Sequence, residues 1–452
     1  RGMDDPPVGD GNRLVVFVMP DVAEIRKLAG DRFVDGFYTG RVSGSLAFVP
    51  RKSAFADPGT LNSDIIFFHE YSHHLMFQVQ SRPFPEWLVE GFAEFMSTVR
   101  FEKNGDIGIG APAIHRAWGL FEGKRLPLET MLSGNYTKID DEERESIYGR
   151  GWLLVHYMTF EKSRAGQLDR YADLLGKGVP SLDAARTAFG DLKQLDRDLD
   201  HYLNQKTFIY LRLDGRRFVA PPIAIEPLSE GGAKVVLLRA QSKKGVDEKT
   251  AEPLAAEVRA VEARFPGDEL VELTLSEAEL DAGHPQASEA AADRALKANP
   301  KNTAAIVLKA RAVEAVADKL TGDAKKTAFE TARGLFISAN KLDTEDPEPL
   351  YGYYWSYLEQ GIAPTRNAIA ALHYASDLAP QDEGARMNSA IAYLNEGKLE
   401  EAKATLTVVA YSPHAGEIGD VAKRMMVDIN AGNAKAALEE AKRGSPRKST
   451  SN

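Results

Sequence analysis

The sequence predicts two architectures joined end to end: a unit of mixed helices and strands over residues 1–206, then an all-helical array over residues 248–442. Three observations carry that division. Before residue 206, short β-branched apolar runs that stop at Pro or Gly alternate with stretches of helical length. From about residue 248 the chain turns to Ala-rich amphipathic helices in pairs. Prolines that follow those helices recur at an almost constant interval.

The elements follow in order. RLVVFVMP (13–20) is a strand stopped by Pro, and DVAEIRKLAG (21–30) is a helix with Asp at its start and Gly at its end. FYTGRVSGSLAFVPRK (37–52) reads as a hairpin or strand pair with Gly at its bends. NSDIIFFHEYSHHLMFQVQS (62–81) is a buried helix capped by Asn62 or Ser63, and EWLVEGFAEFMSTVR (86–100) is a second after the PFP break. IYGRGWLLVHYMTFEK (147–162) is a third, with further helices near 165–176 and 181–205. Residues 207–213 and 218–240 alternate enough to be strands, giving a small β-containing connector over 207–247.

In the second half, Pro266 to Pro300 spans 34 residues, Pro347 to Pro380 spans 33, and Pro380 to Pro413 spans 33. The step from Pro300 to Pro347 is 47, so one repeat carries an insertion that includes TGDAKK. Helix pairs of about 34 residues with small residues and Gly at the inner turn resemble the tetratricopeptide repeat, whose stacked copies share one core. That resemblance implies a solenoid that binds a protein partner. The tail RGSPRKSTSN (443–452) is polar and rich in breakers, and is expected to be disordered.

Composition narrows the function classes. With 43% hydrophobic and 27% charged residues the chain reads as globular, and its net charge of −10 provides no electrostatic footprint for nucleic acid. No apolar run approaches the roughly 20 residues that cross a bilayer. The absence of Cys removes disulfides, thiolate metal sites and cysteine nucleophiles together. A start at Arg1 rather than Met points to a processed chain, so a periplasmic or secreted location is expected ahead of a cytoplasmic one.

The chemistry concentrates in HEYSHH (69–74). On a helix His69 and His73 share one face, so both can reach one ion, while Glu70 lies a step round, toward a water on that ion. His74 lies about 100° from His73 and should face away. A zinc site needs a third protein ligand, and WLVEGFAEF offers Glu90, with sixteen residues between it and His73, or Glu94 one turn further on.

These phrases resemble the gluzincin metallopeptidases, the thermolysin-like and aminopeptidase N-like superfamily. Its third-ligand glutamate follows H-E-x-x-H on the next helix, in the aminopeptidase branch within W-L-x-E-G-F-A. The match to Trp87, Leu88, Glu90, Gly91, Phe92 and Ala93 selects Glu90 as the ligand and leaves Glu94 to orient a ligand histidine, as outer carboxylates do. IYGRGWLLVHYM is similar to the stretch carrying that branch's oxyanion-stabilising tyrosine. By position this is Tyr148, with Arg150 as a possible substrate contact and His156 and Tyr157 as competitors.

The resemblance implies a bacterial α+β zincin-like peptidase domain over 1–206, fused to the repeats. Its one Zn²⁺ would be held by His69, His73 and Glu90, with Glu70 as general base on the zinc-bound water and Tyr148 donating to the oxyanion. Strand GSLAFVP would be the edge strand that receives an extended peptide at Ser45 and Leu46. The aminopeptidase G-x-M-E-N phrase is replaced by GRVSGSLAF, with Ser43 near the place of the glutamate that grips a free amine, so an endopeptidase is expected. Three rivals stand beside this. One is a catalytically inactive peptidase-fold and repeat scaffold, another a non-peptidase metal hydrolase, the last a repeat scaffold with an incidental helix.

Overall fold

The computed structural model describes residues 13–51, 61–78, 82–136, 138–218, 222–412 and 415–444. Strand β1 (Leu14–Met19) leads into helix α1 (Val22–Ala29), which Asp21 caps by accepting the Glu24 N–H and Gly30 ends in the left-handed conformation. Strands β2 (Phe37–Thr39) and β3 (Ser45–Pro50) complete a sheet of order β1-β3-β2. β3 runs parallel to β1, with Leu14 opposite Ser45, and antiparallel to β2, with Tyr38 opposite Ala47.

Helix α2 (Ser63–Gln78) packs on β2 and β3, and its first turn is capped by Asn62, which accepts the Ile65 N–H. Helix α3 (Glu86–Ser97) follows, then a second small sheet formed by β4 (Arg100–Phe101), β5 (Ile107–Ile109) and, much later, β6 (Leu211–Leu213). Between them come α4 (Ala117–Phe121), α5 (Leu128–Ser133), α6 (Asp141–Phe160), α7 (Gln167–Gly176), α8 (Ser181–Phe189) and α9 (Leu192–Leu203). α6 begins six residues earlier than its apolar run because Asp140 and Glu143 form a reciprocal capping box. The stretch read as one helix over 181–205 is two, broken at Gly190.

Helices α3 and α6 cross at their glycines. A Cβ on Gly91 would lie 2.5 Å from the Gly151 carbonyl carbon, and one on Gly151 would lie 2.8 Å from the Trp87 carbonyl oxygen. Around that crossing Trp87, Trp152, Leu153, Met131 and Tyr171 are fully buried, each large apolar side chain contributing about 1.5–3 kcal/mol. The Trp87 indole donates to the Tyr171 hydroxyl at 3.2 Å, and that hydroxyl is also hydrogen-bonded to Ser181 at 2.8 Å, so both buried polar groups have partners.

The remaining described chain is a solenoid of antiparallel pairs. They are α10 (Glu230–Lys244) with α11 (Ala251–Glu262), α12 (Glu269–Asp281) with α13 (Pro285–Ala298), and α14 (Thr303–Ala317) with α15 (Gly322–Leu342). Then come α16 (Pro347–Gln360) with α17 (Arg366–Leu378), α18 (Glu383–Asn395) with α19 (Leu399–Ala410), and α20 (Gly416–Asn430) with α21 (Ala434–Gly444). Each helix packs on the next, and α12, α14 and α16 also touch in a row, which is how a stacked repeat shares its core. The insertion is a longer second helix: α15 runs 21 residues and begins within TGDAKK.

The connector over 207–247 differs from its expectation. Its β content in the described residues is β6 alone, and the alternating run read as strands is α10, whose start Ser229 caps by accepting the Gly232 N–H at 2.9 Å. The array therefore begins at residue 230, not 248. Pro413 and residues 445–452 of the tail lie outside the described residues, as do 79–81 of the first histidine helix.

The solenoid returns to the first sheet. The Val42 N–H donates to Asp382 at 2.7 Å, and Arg41 donates to the carbonyls of Lys243 and Lys244. Gly40 lies so near Gln381 that a Cβ would meet its Cγ at 2.5 Å. A cavity of about 280 Å³ lies beside this junction, between Tyr38, Phe77, Arg386 and Val409.

Candidate metal centre

The histidine helix is buried where it meets α3, and three donor groups converge there. His69 Nε2 is 3.1 Å from His73 Nε2 and 3.3 Å from Glu90 Oε2, and His73 Nε2 is 3.8 Å from the same oxygen. A tetrahedral ion with arms of 2.0–2.1 Å requires donor separations of about 3.3–3.4 Å, so the three atoms stand close to the spacing that one ion needs. Two imidazoles and a carboxylate are also the donor types a zinc-like cation takes.

The surrounding charge favours a cation. Burial alone would lower the His69 pKa, but contacts with Glu90 and Glu94 and the nearby Glu70 charge raise it to about 10. Glu94, with no exposed surface, accepts from His115 Nε2 at 2.7 Å and from Arg116 at 2.6 Å, and lies 3.1 Å from His69 Nδ1. It thus orients the far nitrogen of His69. Burial alone would raise its own carboxyl, but Arg116, His115 and His69 hold it well below the usual range.

Glu70 sits one step round the helix, buried, with its carboxylate over Gly36, where a Cβ would come within 3.3 Å of Oε1. Burial, with the Glu90 and Glu94 charges, pushes its pKa up to about 7, opposed by His69 and by the Tyr38 backbone N–H it accepts. Tyr148, on α6, has its ring 6.2 Å from that of His69. The nearby Glu90 charge and burial hold its phenol well above the usual range, hence neutral and able to donate.

His74 points elsewhere, packing its ring near Tyr38 and Tyr71, and burial lowers its pKa to about 4. Zinc stoichiometry should be unchanged in His74→Ala and lost in His73→Ala; equal loss in both would mean that the wrong helix face has been assigned.

Three expected contacts are corrected. Leu46 lies on the central strand β3 between Val15 of β1 and Thr39 of β2, so no peptide can add there, and Ser45 beside it pairs with Leu14 of β1. The Ser45 hydroxyl is instead hydrogen-bonded to Tyr38 at 2.9 Å. Arg150, 5% exposed, pairs with Asp196 on α9 and has no contact with His69, His73 or Glu90 among those described. His156, a competitor of Tyr148, is a core residue bonded to Tyr202 and to the Gly110 and Ile209 carbonyls. Arg116 and His115 escape a reading of the sequence, since nothing local in AIHRAW marks them; they reach Glu94 from 21 and 22 residues further along the chain.

No family model matches the chain, and no curated protein matches it. Among solved structures it is similar to a thermophilic TPR protein of Thermus thermophilus, at 17% identity over 46% of this chain and 95% of that one, with a TM-score of 0.33. The expected gluzincin identity is corrected accordingly. No match to that family is found, and the mainly helical chain holds, among the described residues, two sheets of three short strands instead of an α+β zincin-like domain. Its C-terminal part is a stacked array of helix pairs, and no helix of the described residues is long and apolar enough to cross a membrane.

Proposed function

We propose that this chain is a protein-binding repeat scaffold carrying a divalent-metal hydrolytic centre at its N-terminal end, and that the centre cuts peptide bonds. The observation that carries the hydrolytic part is the convergence of His69, His73 and Glu90, whose donor atoms all lie within 4.8 Å of one another, with Glu70 buried beside them.

A bound Zn²⁺ would supply Lewis-acid polarisation and make water more acidic. His69, His73 and Glu90 would hold it, and Glu94 would fix the His69 ring. Glu70, with a pKa near neutrality, is suited to take a proton from the attacking water and return it to the leaving amine. The Tyr148 phenol is suited to donate to the oxygen that gains negative charge. Peptide is the favoured substrate because the solenoid supplies a protein-binding surface on the same chain.

The second reading is a scaffold that binds proteins and cuts nothing, and the repeat solenoid is the feature that favours it. Purified chain should hold one Zn²⁺, lost in His69→Ala and Glu90→Ala, and should cleave casein. Glu70→Gln should retain the metal and lose cleavage by about 10²–10⁴-fold. A zinc-loaded protein that cleaves neither casein nor a peptide library would leave the scaffold reading, and metal content indifferent to His69 and Glu90 would remove the centre itself.

A further inference from the structure

Arg116 is a largely buried cation with no part in the chemistry above, yet it touches both sides of the centre. Its side chain is 12% exposed, at the end of the short turn Ile114–Arg116. Nη2 donates to Glu94 Oε1 at 2.6 Å, the same oxygen that lies 3.1 Å from His69 Nδ1. Nη1 donates to Glu145 at 2.6 Å, one turn before Tyr148 on α6. Between those two anchors the guanidinium carbon lies 4.7 Å from the centroid of the Tyr148 ring, within cation–π range.

The planar guanidinium thus has its two ends fixed by carboxylates on different helices and its carbon over the Tyr148 ring. Such a fork can be made by Arg and not by Lys, whose ammonium is a point charge without a flat face. Glu94 transmits its position to His69, and the ring contact transmits it to Tyr148. We propose that Arg116 is a positioning residue that ties the ligand histidine His69 and the phenol of Tyr148 into one frame, setting the distance between the metal and the oxyanion donor.

This rests on the hydrolytic reading, so its test includes two measurements that need no turnover. Zn²⁺ affinity, measured by chelator competition, should fall about 10- to 100-fold in Arg116→Met, as expected when a group orienting a ligand is lost. In protein labelled with 3-fluorotyrosine, the ¹⁹F resonance of Tyr148, identified by its absence in Tyr148→Phe, should shift and broaden in Arg116→Met. With Zn²⁺ saturating and casein as substrate, kcat should drop at least tenfold with KM little changed. In a Tyr148→Phe background the same substitution should cost much less in kcat while still weakening Zn²⁺ binding. Arg116→Lys, which keeps the charge and is the safer variant for folding, should restore most of the Zn²⁺ affinity but not the Tyr148 resonance. Zn²⁺ affinity and the Tyr148 resonance both unchanged in a folded Arg116→Met protein would overturn the proposal. Absence of casein cleavage by the unaltered, zinc-loaded chain would overturn the hydrolytic reading alone, leaving affinity and resonance to decide for Arg116.

Discussion

Glu94→Ala should destabilise the chain by about 3–5 kcal/mol and weaken Zn²⁺ binding by about 10- to 100-fold. The carboxylate is wholly buried and receives the Arg116 guanidinium and His115, with His69 also in contact. Its removal leaves Arg116 in a buried place with Glu145 as the remaining short carboxylate contact. Urea unfolding measures the first effect and chelator competition the second. Glu94→Gln keeps the shape and should lose less stability. The pH dependence separates the two states of this group. Its folded pKa lies well below the ordinary 4.5, so the stability it supplies is full above pH 4.5 and disappears as pH falls through the folded value. Acid unfolding of Glu94→Gln should therefore be shallower than that of the unaltered protein. Identical acid limbs would mean that the carboxylate charge adds nothing to stability.

Gly91→Ala should be nearly as damaging for a different reason. Both helices at this crossing have ordinary backbone conformations, so strain is not at issue. The new methyl would lie 2.5 Å from one backbone atom of Gly151 and 2.6 Å from another, and no side-chain rotation relieves a clash with a main chain. Overpacking of this kind costs about 1–3 kcal/mol, and here the upper end is expected because α3 and α6 must separate. Glu90 precedes Gly91 on α3, and Tyr148 lies one turn from Gly151 on α6, so both sides of the centre move. Zn²⁺ affinity should fall with stability in Gly91→Ala. A stable variant with normal affinity would show that the two helices can part without disturbing the ligands.

The parts of the structure legible in the sequence are those set by local spacing. The i, i+4 histidines, the Asp21 and Gly30 helix boundaries and the 33–34-residue proline interval each depend on residues close in the chain. What stays hidden depends on distant pairing. β3 is central because it pairs in parallel with β1, which lies before α1 and β2 in the chain, as well as with β2, and a run such as GSLAFVP does not record how many neighbours it has. The apolar run VVLL of α10 reads as strand until the Ser229 cap is weighed, because two glycines at its start hide the helix signal. Arg150 draws its expected role from its position in a phrase, whereas its side chain follows the local needs of α9 and pairs with Asp196. Arg116 has no phrase at all; its role arises where a short turn meets two helices.

The hydrogen bond from Val42 to Asp382 joins residues 340 apart in the chain. A ribosome that adds about 5–20 residues per second needs roughly 17–70 s to make the intervening stretch. Over that time the loop between β2 and β3 waits without the solenoid that seats it, and β2 is the strand whose Tyr38 N–H holds Glu70. The cluster of His69, His73 and Glu90 would then reach its final surroundings late, once the chain has been made as far as Asp382.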